Sequence, residues 1–250
     1  LDLQGLLKSG IWAALSGAQR RVGLGSREGS QWLMNEVIPR EQDDPRIGKE
    51  YRDLAVRLGA RPEQFVLDIA VPESARQQAQ ATLAAAGVSG RYALLAPFTT
   101  RPQKHWFDER WAELARSLPA DLTPVMLGGP GETARAAAIA EQAGGRLINR
   151  VGQTRLSEAA ALIETAAVLI GVDTGLTHLG TALETPTVAL FGSTLPYRDT
   201  TRPNGLILYE ARACSPCHRR PVCEGRFDCM RTHEVGSVLA AVQQVLSTTR

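Results

Sequence analysis

Residues 171–178 read Gly-Val-Asp-Thr-Gly-Leu-Thr-His and separate an apolar run from a helical pattern. The apolar run, residues 167–170, predicts a buried strand. After the turn, leucines recur at helical spacing at Leu176, Leu179 and Leu183. The polar residues therefore lie at a strand-to-helix turn, which is where open α/β sheets bind ligands.

The turn carries groups that suit a phosphate. Asp173 or Thr174 can cap the new helix, and Gly175 lets a ligand come close to the backbone. The first free N–H groups of the helix then point at the ligand, together with the positive end of the helix dipole. His178 lies one turn after Thr174 on the same face, so one ligand could meet both side chains. A capped turn with a packed histidine explains the same residues, and both interpretations stay open at this point.

The composition is that of a globular protein with an ample core, because 44% of the 250 residues are hydrophobic and 22% are charged. The formal net charge of +2 argues against a uniformly basic binder, so we expect no nucleic-acid partner. No run approaches the roughly 18 apolar residues of a membrane span. The chain opens Leu-Asp-Leu-Gln without an initiator Met or a signal-peptide pattern, and we expect it to start inside a βα unit.

From Arg91 onward, predicted strands alternate with predicted helices. The strands are at 92–96, 124–127, 146–148, 167–172 and 187–191, and the helices are at 108–118, 132–143, 156–166, 176–183 and 235–246. This alternation predicts an α/β fold with a parallel, doubly wound sheet. We expect residues 1–80 to be the remainder of an N-terminal domain and residues 81–250 to form a C-terminal domain.

Two more loops at the carboxyl ends of predicted strands carry polar side chains. Thr99, Thr100 and Lys104 follow the first strand, and their hydroxyls and ammonium suit diphosphate oxygens. Glu132 follows the second strand, where a carboxylate can accept hydrogen bonds from ribose hydroxyls. Taken singly, Lys104 is better explained as a surface lysine and Glu132 as a first-turn helix acid. Three such loops at one sheet edge favour a nucleotide site.

Four motifs carry a resemblance to a known family. They are Thr-Thr-Arg-Pro-Gln-Lys-His-Trp at 99–106, Leu-Gly-Gly-Pro-Gly-Glu at 127–132, Gly-Val-Asp-Thr-Gly-Leu-Thr-His-Leu-Gly-Thr-Ala-Leu at 171–183 and Pro-Thr-Val-Ala-Leu-Phe-Gly-Ser-Thr at 186–194. With them the sequence resembles the heptosyltransferases of lipopolysaccharide core synthesis, which have the two-domain GT-B glycosyltransferase fold of two Rossmann-like domains. The motif at 99–106 is most similar to heptosyltransferase I, and residues 2–9 also fit the family's N-terminal domain.

The resemblance implies an inverting transferase that moves heptose from ADP-heptose to Kdo of the lipopolysaccharide inner core. It implies a cytoplasmic, monomeric enzyme that is peripheral at the inner membrane, where it meets a Kdo-lipid A acceptor. It also implies roles for residues in this chain: Thr99, Thr100 and Lys104 hold the diphosphate, Glu132 the ribose, Asp173 the heptose hydroxyls, Thr174, Gly175 and His178 the phosphate end, and Arg27 the acceptor. A surface arginine explains Arg27 at least as well.

Two further expectations concern catalysis. The sequence contains no Asp-x-Asp pair, so we expect no metal cofactor; Lys104 and the helix terminus would neutralise the leaving diphosphate. The family's catalytic base is an aspartate in a Gly-Asp loop, which we expect upstream of Leu1. A GT-B enzyme that uses another nucleotide sugar and a non-catalytic nucleotide-binding module both remain as alternatives.

Four cysteines lie near the C-terminus at Cys214, Cys217, Cys223 and Cys229, with the spacing C-x2-C-x5-C-x5-C. This spacing is close to that of a metal knuckle, but the second C-x2-C of a typical zinc site is missing. Free thiols packed in a loop are the favoured interpretation, and a structural metal stays open.

Overall fold

The structure is a computed structural model that describes residues 1–40, 47–64, 67–197, 204–217 and 220–248. The chain divides into two units, Leu1–Val66 and Leu67–Arg250.

The first unit contains a short parallel sheet with two helices. Its elements are α1 (Leu7–Leu15), β1 (Val22–Leu24), β2 (Glu36–Ile38) and α2 (Lys49–Arg57). Strands β1 and β2 pair in parallel, and Asp2 adds a single parallel bridge to Gly23. A small core of Val22, Leu24, Ile38 and Leu54 joins β1, β2 and α2.

Within its described residues, the second unit contains six strands and the remaining helices. They are α3 (Glu73–Ala85), β3 (Tyr92–Ala96), α4 (Asp108–Ser117), β4 (Thr123–Met126), α5 (Thr133–Gln142), β5 (Ile148–Asn149), α6 (Leu156–Glu164), β6 (Val168–Val172), α7 (Gly175–Ala182), β7 (Thr187–Leu190), β8 (Gly205–Leu208), α8 (Asp228–Arg231) and α9 (Val235–Thr248). Helix α3 packs against α6 within this unit, and a division between residues 80 and 81 would cut through α3.

The six strands form one parallel sheet in the order β5-β4-β3-β6-β7-β8. The chain runs outward from β3 to β5, then returns to the middle of the sheet at β6 and runs outward to β8 on the other side. The predicted doubly wound sheet is therefore confirmed. Its topological switch point lies between β3 and β6, the place where such sheets leave a crevice at the carboxyl ends of their strands.

Each face of the sheet is covered by its own hydrophobic layer. Leu94 and Leu169 point to the layer that includes α3 and α6, while Leu95 and Ile170 point to the layer that includes α4, α5 and α9. Successive strand residues alternate between the two layers because side chains in a strand point to opposite faces. The central strands β3 and β6 are apolar along their whole length because both faces of the sheet are buried there.

Glycines let α7 lie close to β6, which precedes it, and to β7, which follows it. A Cβ at Gly180 would lie 2.4 Å from Leu169 Cδ2 and 2.7 Å from Thr187 Oγ1. A Cβ at Gly171 would lie 2.2 Å from Thr177 Oγ1, whose hydroxyl donates to Val172 O at 2.6 Å. The small residues thus set the position of the amino terminus of α7 relative to the sheet edge.

Among the described residues, no helix combines the length and the apolarity needed to cross a membrane.

Candidate ligand-binding site

A cleft of about 550 Å³ opens at the carboxyl edge of the sheet in the second unit, a size typical of small-molecule sites. The loops after β3, β4, β5 and β6 contribute its polar lining, and the loops after β3 and β6 place the cleft at the switch point. All eight residues predicted from the sequence to hold the nucleotide sugar line it: Thr99, Thr100, Lys104, Glu132, Asp173, Thr174, Gly175 and His178. Apolar side chains complete the wall, among them Phe98, Leu127, Leu156 and Leu176.

Asp173 is the electrostatic centre of the cleft, with 13% of its side chain exposed. Its Oδ2 lies 2.5 Å from Lys104 Nζ and accepts a 2.6 Å hydrogen bond from Thr194 Oγ1, and its Oδ1 lies 3.3 Å from His178 Nε2. Burial would raise the pKa of the Asp173 carboxyl, but hydrogen bonds from His178, Lys104 and Thr194 outweigh burial and hold the pKa well below its usual range. Asp173 is therefore an anion that organises three donors.

The sequence prediction that the side chain of Asp173 or Thr174 caps α7 is wrong. Thr174 occupies the N-cap position, yet within the described residues its side chain makes no capping hydrogen bond. The Asp173 carboxylate contacts Lys104 and His178 instead. Thr174 and Gly175 line the cleft at the start of α7, where the first-turn N–H groups have no partner inside the helix.

Lys104 lies at the end of a short 3₁₀ turn, Pro102–Lys104. Trp106, two residues later, holds this turn in place. Trp106 is 1% exposed, and its ring packs edge-on against Trp111 with the ring centroids 5.0 Å apart. Its Nε1 donates to His233 O at 2.9 Å, and His233 Nε2 lies 2.7 Å from Phe191 O at the end of β7. The loop after β3 is therefore tied to the loop after β7 beneath the cleft.

Arg135 on α5 makes a second set of contacts that holds the loop after β3. Arg135 Nε donates to both carboxylate oxygens of Asp108, at 2.9 and 2.8 Å, and its Nη1 lies 2.9 Å from His105 Nδ1. Burial lowers the pKa of His105, and the charge of Arg135 lowers it further. A neutral His105 can accept the Arg135 hydrogen bond, so this network also fixes the segment that carries Lys104.

Two residues that the sequence analysis did not single out belong to the same cluster. Thr194 contacts Asp173, and the hydroxyl of Tyr197 lies 3.2 Å from His178 Nδ1. Both follow β7, so they lie at the same sheet edge as the predicted loops. The signal that could have found them is their position in the loop directly after the strand predicted at residues 187–191.

Arg27, the predicted acceptor-binding residue, lies in the first unit. Its side chain is exposed on the loop after β1, and its backbone N–H donates to Gly5 O at 2.9 Å. The next residue, Glu28, has φ 58°, a left-handed conformation that fixes the direction of the loop.

The four cysteines are free thiols that range from exposed Cys214 to buried Cys229. Burial raises the pKa of the Cys229 thiol, and the neighbouring Cys217 raises it further. In the part of the chain that the structure describes, no group of three His, Cys, Asp or Glu side chains is arranged to hold a metal ion.

A doubly wound parallel sheet with a helix terminus, a lysine and an acidic residue at its switch point is an arrangement in which α/β domains bind nucleotides. The sequence pattern of glycosyltransferase family 9 (heptosyltransferase) matches residues 1–226 of this chain. The chain therefore belongs to this family.

Relatives agree with this assignment. Lipopolysaccharide heptosyltransferase 1 of Salmonella typhimurium is 30% identical over 78% of this chain and 61% of its own length. The protein of the same name from Pseudomonas aeruginosa is 31% identical over 88% of this chain and 61% of its own length. The chain thus spans about three fifths of the length of these curated relatives.

Solved structures agree in fold. The E. coli ADP-heptose lipopolysaccharide heptosyltransferase II superposes with a TM-score of 0.75 at 21% identity, over 97% of this chain and 74% of that one. The E. coli heptosyltransferase WaaC with ADP-2-deoxy-2-fluoro heptose superposes with a TM-score of 0.66 at 22% identity, over 96% and 70% of the two chains. The predicted GT-B fold is confirmed.

Proposed function

We propose that the protein is an inverting heptosyltransferase that binds ADP-heptose in the cleft and transfers heptose to Kdo of the lipopolysaccharide inner core. The observation that carries the proposal is the Lys104–Asp173–His178 cluster beside the amino terminus of α7. Its support comes from relatives named lipopolysaccharide heptosyltransferase 1 and from neighbouring structures that are described with ADP and with an ADP-heptose analogue.

The diphosphate lies between the loop after β3 and the start of α7. Thr99 and Thr100 offer hydroxyl donors, and Lys104 offers an ammonium group that already faces the anionic Asp173. The N–H groups at Thr174 and Gly175 add the positive end of the helix dipole. A diphosphate brings more negative charge than one carboxylate, so it can share Lys104 with Asp173.

The nucleoside lies at the other end of the cleft. Glu132 closes the loop after β4, where its carboxylate can accept hydrogen bonds from ribose hydroxyls. Leu127 and Leu156 supply apolar surface for a base, and Leu156 is 71% exposed although its side chain is large and apolar. A base that covers Leu156 would remove this surface from water.

In the reaction, a Kdo hydroxyl oxygen attacks the anomeric carbon of heptose from the face opposite the diphosphate. The bond between that carbon and the β-phosphate oxygen breaks, and ADP leaves with the electron pair. The hydroxyl proton passes to a general base as the new bond forms. Lys104, His178 and the α7 terminus stabilise the charge that develops on the leaving ADP.

Asp173 is a poor candidate for that base. Its pKa is held well below the usual range, and both of its oxygens are engaged by donors. We assign it instead to holding Lys104 and His178 and to contacting heptose hydroxyls. Arg27 is assigned to the acceptor, which the protein would meet at the cytoplasmic face of the inner membrane.

The donor assignment predicts that the chain binds ADP more tightly than UDP or GDP. The reason is that the base end of the cleft offers the apolar wall of Leu127 and Leu156, while the diphosphate contacts are common to all three nucleotides. Calorimetric titration of the three nucleotides under one salt condition checks this. UDP binding as tight as ADP binding would overturn the donor assignment and favour a GT-B enzyme for another nucleotide sugar.

Gly175→Ala is expected to weaken ADP binding without destabilising the protein. Among the described residues, no atom lies within 4 Å of a Cβ built at Gly175, so the added methyl group clashes with no part of the protein. Alanine also favours a helical first turn over glycine. The melting temperature should therefore be unchanged or slightly higher, while the methyl group occupies space that a phosphate needs.

Gly131→Ala is the matched control, because a Cβ there also meets no described atom within 4 Å and Gly131 does not line the cleft. Calorimetry and thermal unfolding of both variants separate the two effects. Equal ADP affinity in Gly175→Ala and Gly131→Ala would show that no ligand approaches the backbone at the start of α7.

A further inference from the structure

The loop after β7, residues 192–197, forms one wall of the Asp173 cluster. Thr194 Oγ1 donates to Asp173 Oδ2 at 2.6 Å, and the Tyr197 hydroxyl lies 3.2 Å from His178 Nδ1. His178 is thus contacted at both ring nitrogens, since its Nε2 lies 3.3 Å from Asp173 Oδ1. A histidine with a partner at each nitrogen has a fixed ring orientation.

The chemistry of the three groups fixes which atom donates in each hydrogen bond between Asp173, His178 and Tyr197. The Asp173 carboxylate is ionised and can only accept, so His178 Nε2 carries the proton that faces it. In the neutral imidazole the other nitrogen, Nδ1, is then an acceptor. The Tyr197 hydroxyl can supply the proton that Nδ1 accepts.

The Tyr197 phenol is held in place by its own surroundings. Its ring packs edge-on against Phe191 with centroids 5.7 Å apart, and it lies 5.5 Å from the His178 ring. Burial raises the pKa of the Tyr197 hydroxyl, and hydrogen bonding with Thr181 opposes this. Thr181 is 1% exposed and lies on α7, one turn after His178. The Tyr197 hydroxyl is therefore contacted by two residues of the same helix. The phenol therefore stays protonated at neutral pH and keeps its proton available for Nδ1.

We propose that Tyr197 is a positioning residue that keeps the His178 proton on Nε2 and directs that nitrogen toward Asp173 and the cleft. The consequence for ligand binding rests on the proposed function, in which His178 faces the diphosphate of the donor. A phenol suits this position because its oxygen can donate a hydrogen bond to a bare ring nitrogen or accept one from a ring N–H. Phenylalanine can partner neither state.

The test is Tyr197→Phe in the full chain, which keeps the ring contact with Phe191 and removes only the hydroxyl. Nitrogen-15 NMR of histidine-labelled protein reports the tautomer of His178, with His178→Gln identifying its signals. The parent is expected to hold the Nε2-protonated tautomer, and Tyr197→Phe is expected to give a mixture of tautomers. ADP affinity should fall about three- to tenfold, as for the loss of one hydrogen bond.

Tyr209→Phe is the matched control, because Tyr209 also lies after a strand of this sheet but contacts Ser215 Oγ at 3.4 Å rather than the cleft. It should leave both the His178 spectrum and ADP affinity unchanged. An unchanged His178 tautomer in Tyr197→Phe would overturn the inference. A changed tautomer with parental ADP affinity would also overturn it, since positioning would then serve no ligand. If the parent itself binds no ADP, the proposed donor fails, whereas the tautomer comparison still decides the role of Tyr197.

Discussion

Lys104→Ala is expected to weaken ADP binding by about 1–3 kcal/mol, which corresponds to roughly 5- to 150-fold. Lys104 Nζ lies 2.5 Å from Asp173 Oδ2 in the cleft, and 23% of the Lys104 side chain is exposed. Removing it deletes the ammonium group from the diphosphate contacts. It also leaves the Asp173 carboxylate facing the ligand without its cation, so repulsion adds to the lost attraction. Calorimetric titration with ADP measures the change.

Two further variants isolate the role of Lys104. Arg101→Ala removes one positive charge from an exposed residue three positions earlier that does not line the cleft, so it should leave affinity nearly unchanged at physiological salt. Asp173→Asn combined with Lys104→Ala completes a double-mutant cycle that separates the direct phosphate contact from repulsion by Asp173. Parental ADP affinity in Lys104→Ala would return Lys104 to the surface-lysine interpretation.

The centre of the fold could be predicted from the sequence because its pattern there is purely local. Residues 92–96 were predicted as a strand and form β3, Tyr92–Ala96, and the strand predicted at 167–172 forms β6, Val168–Val172. Both are apolar on two faces, as strands between two helical layers must be. With the turns placed after these strands, the parallel sheet and its switch point followed, and so did the position of the cleft.

The edge of the sheet could not be predicted in the same way. Strand β5 has only two residues, Ile148–Asn149, and was placed at 146–148, while β8, Gly205–Leu208, was not predicted. Edge strands have one neighbour and half-buried side chains, so their hydrophobic pattern is weak. Here β8 is defined by its pairing with β7, which is a tertiary contact.

The details of the cleft depended on partners distant in sequence. Local rules favour Asp173 as a helix cap, but Lys104 lies 69 positions earlier in the chain and Thr194 lies 21 positions later, and both contact its carboxylate. Tyr197 belongs to no motif, and its contact with His178 joins the loop after β7 to helix α7. Sequence spacing predicts which residues share a sheet edge, but not which of them pair.

Trp106→Ala is expected to lower the free energy of unfolding by about 3–5 kcal/mol, the usual cost of removing a large buried aromatic side chain. Trp106 is 1% exposed and packs edge-on against Trp111, which is itself fully buried. The substitution leaves a cavity in the layer that covers one face of the sheet, and it removes the Nε1 donor from His233 O. Because Trp106 follows Lys104 by two residues, the remaining folded protein should also bind ADP more weakly.

Urea unfolding followed by circular dichroism measures the loss, and two variants sort its causes. Trp32→Ala makes the same substitution at a side chain that is 84% exposed, so it should change stability by less than about 0.5 kcal/mol. Trp106→Phe keeps an aromatic ring beside Trp111 but cannot donate to His233 O, which retains a 2.6 Å hydrogen bond from Arg110 Nη1. Its cost should therefore be well below that of Trp106→Ala, because packing and not the hydrogen bond dominates. If Trp106→Ala were as stable as Trp32→Ala, the conclusion that Trp106 anchors the loop after β3 would be wrong. The position of Lys104 would then have to depend on Arg135 and His105 alone.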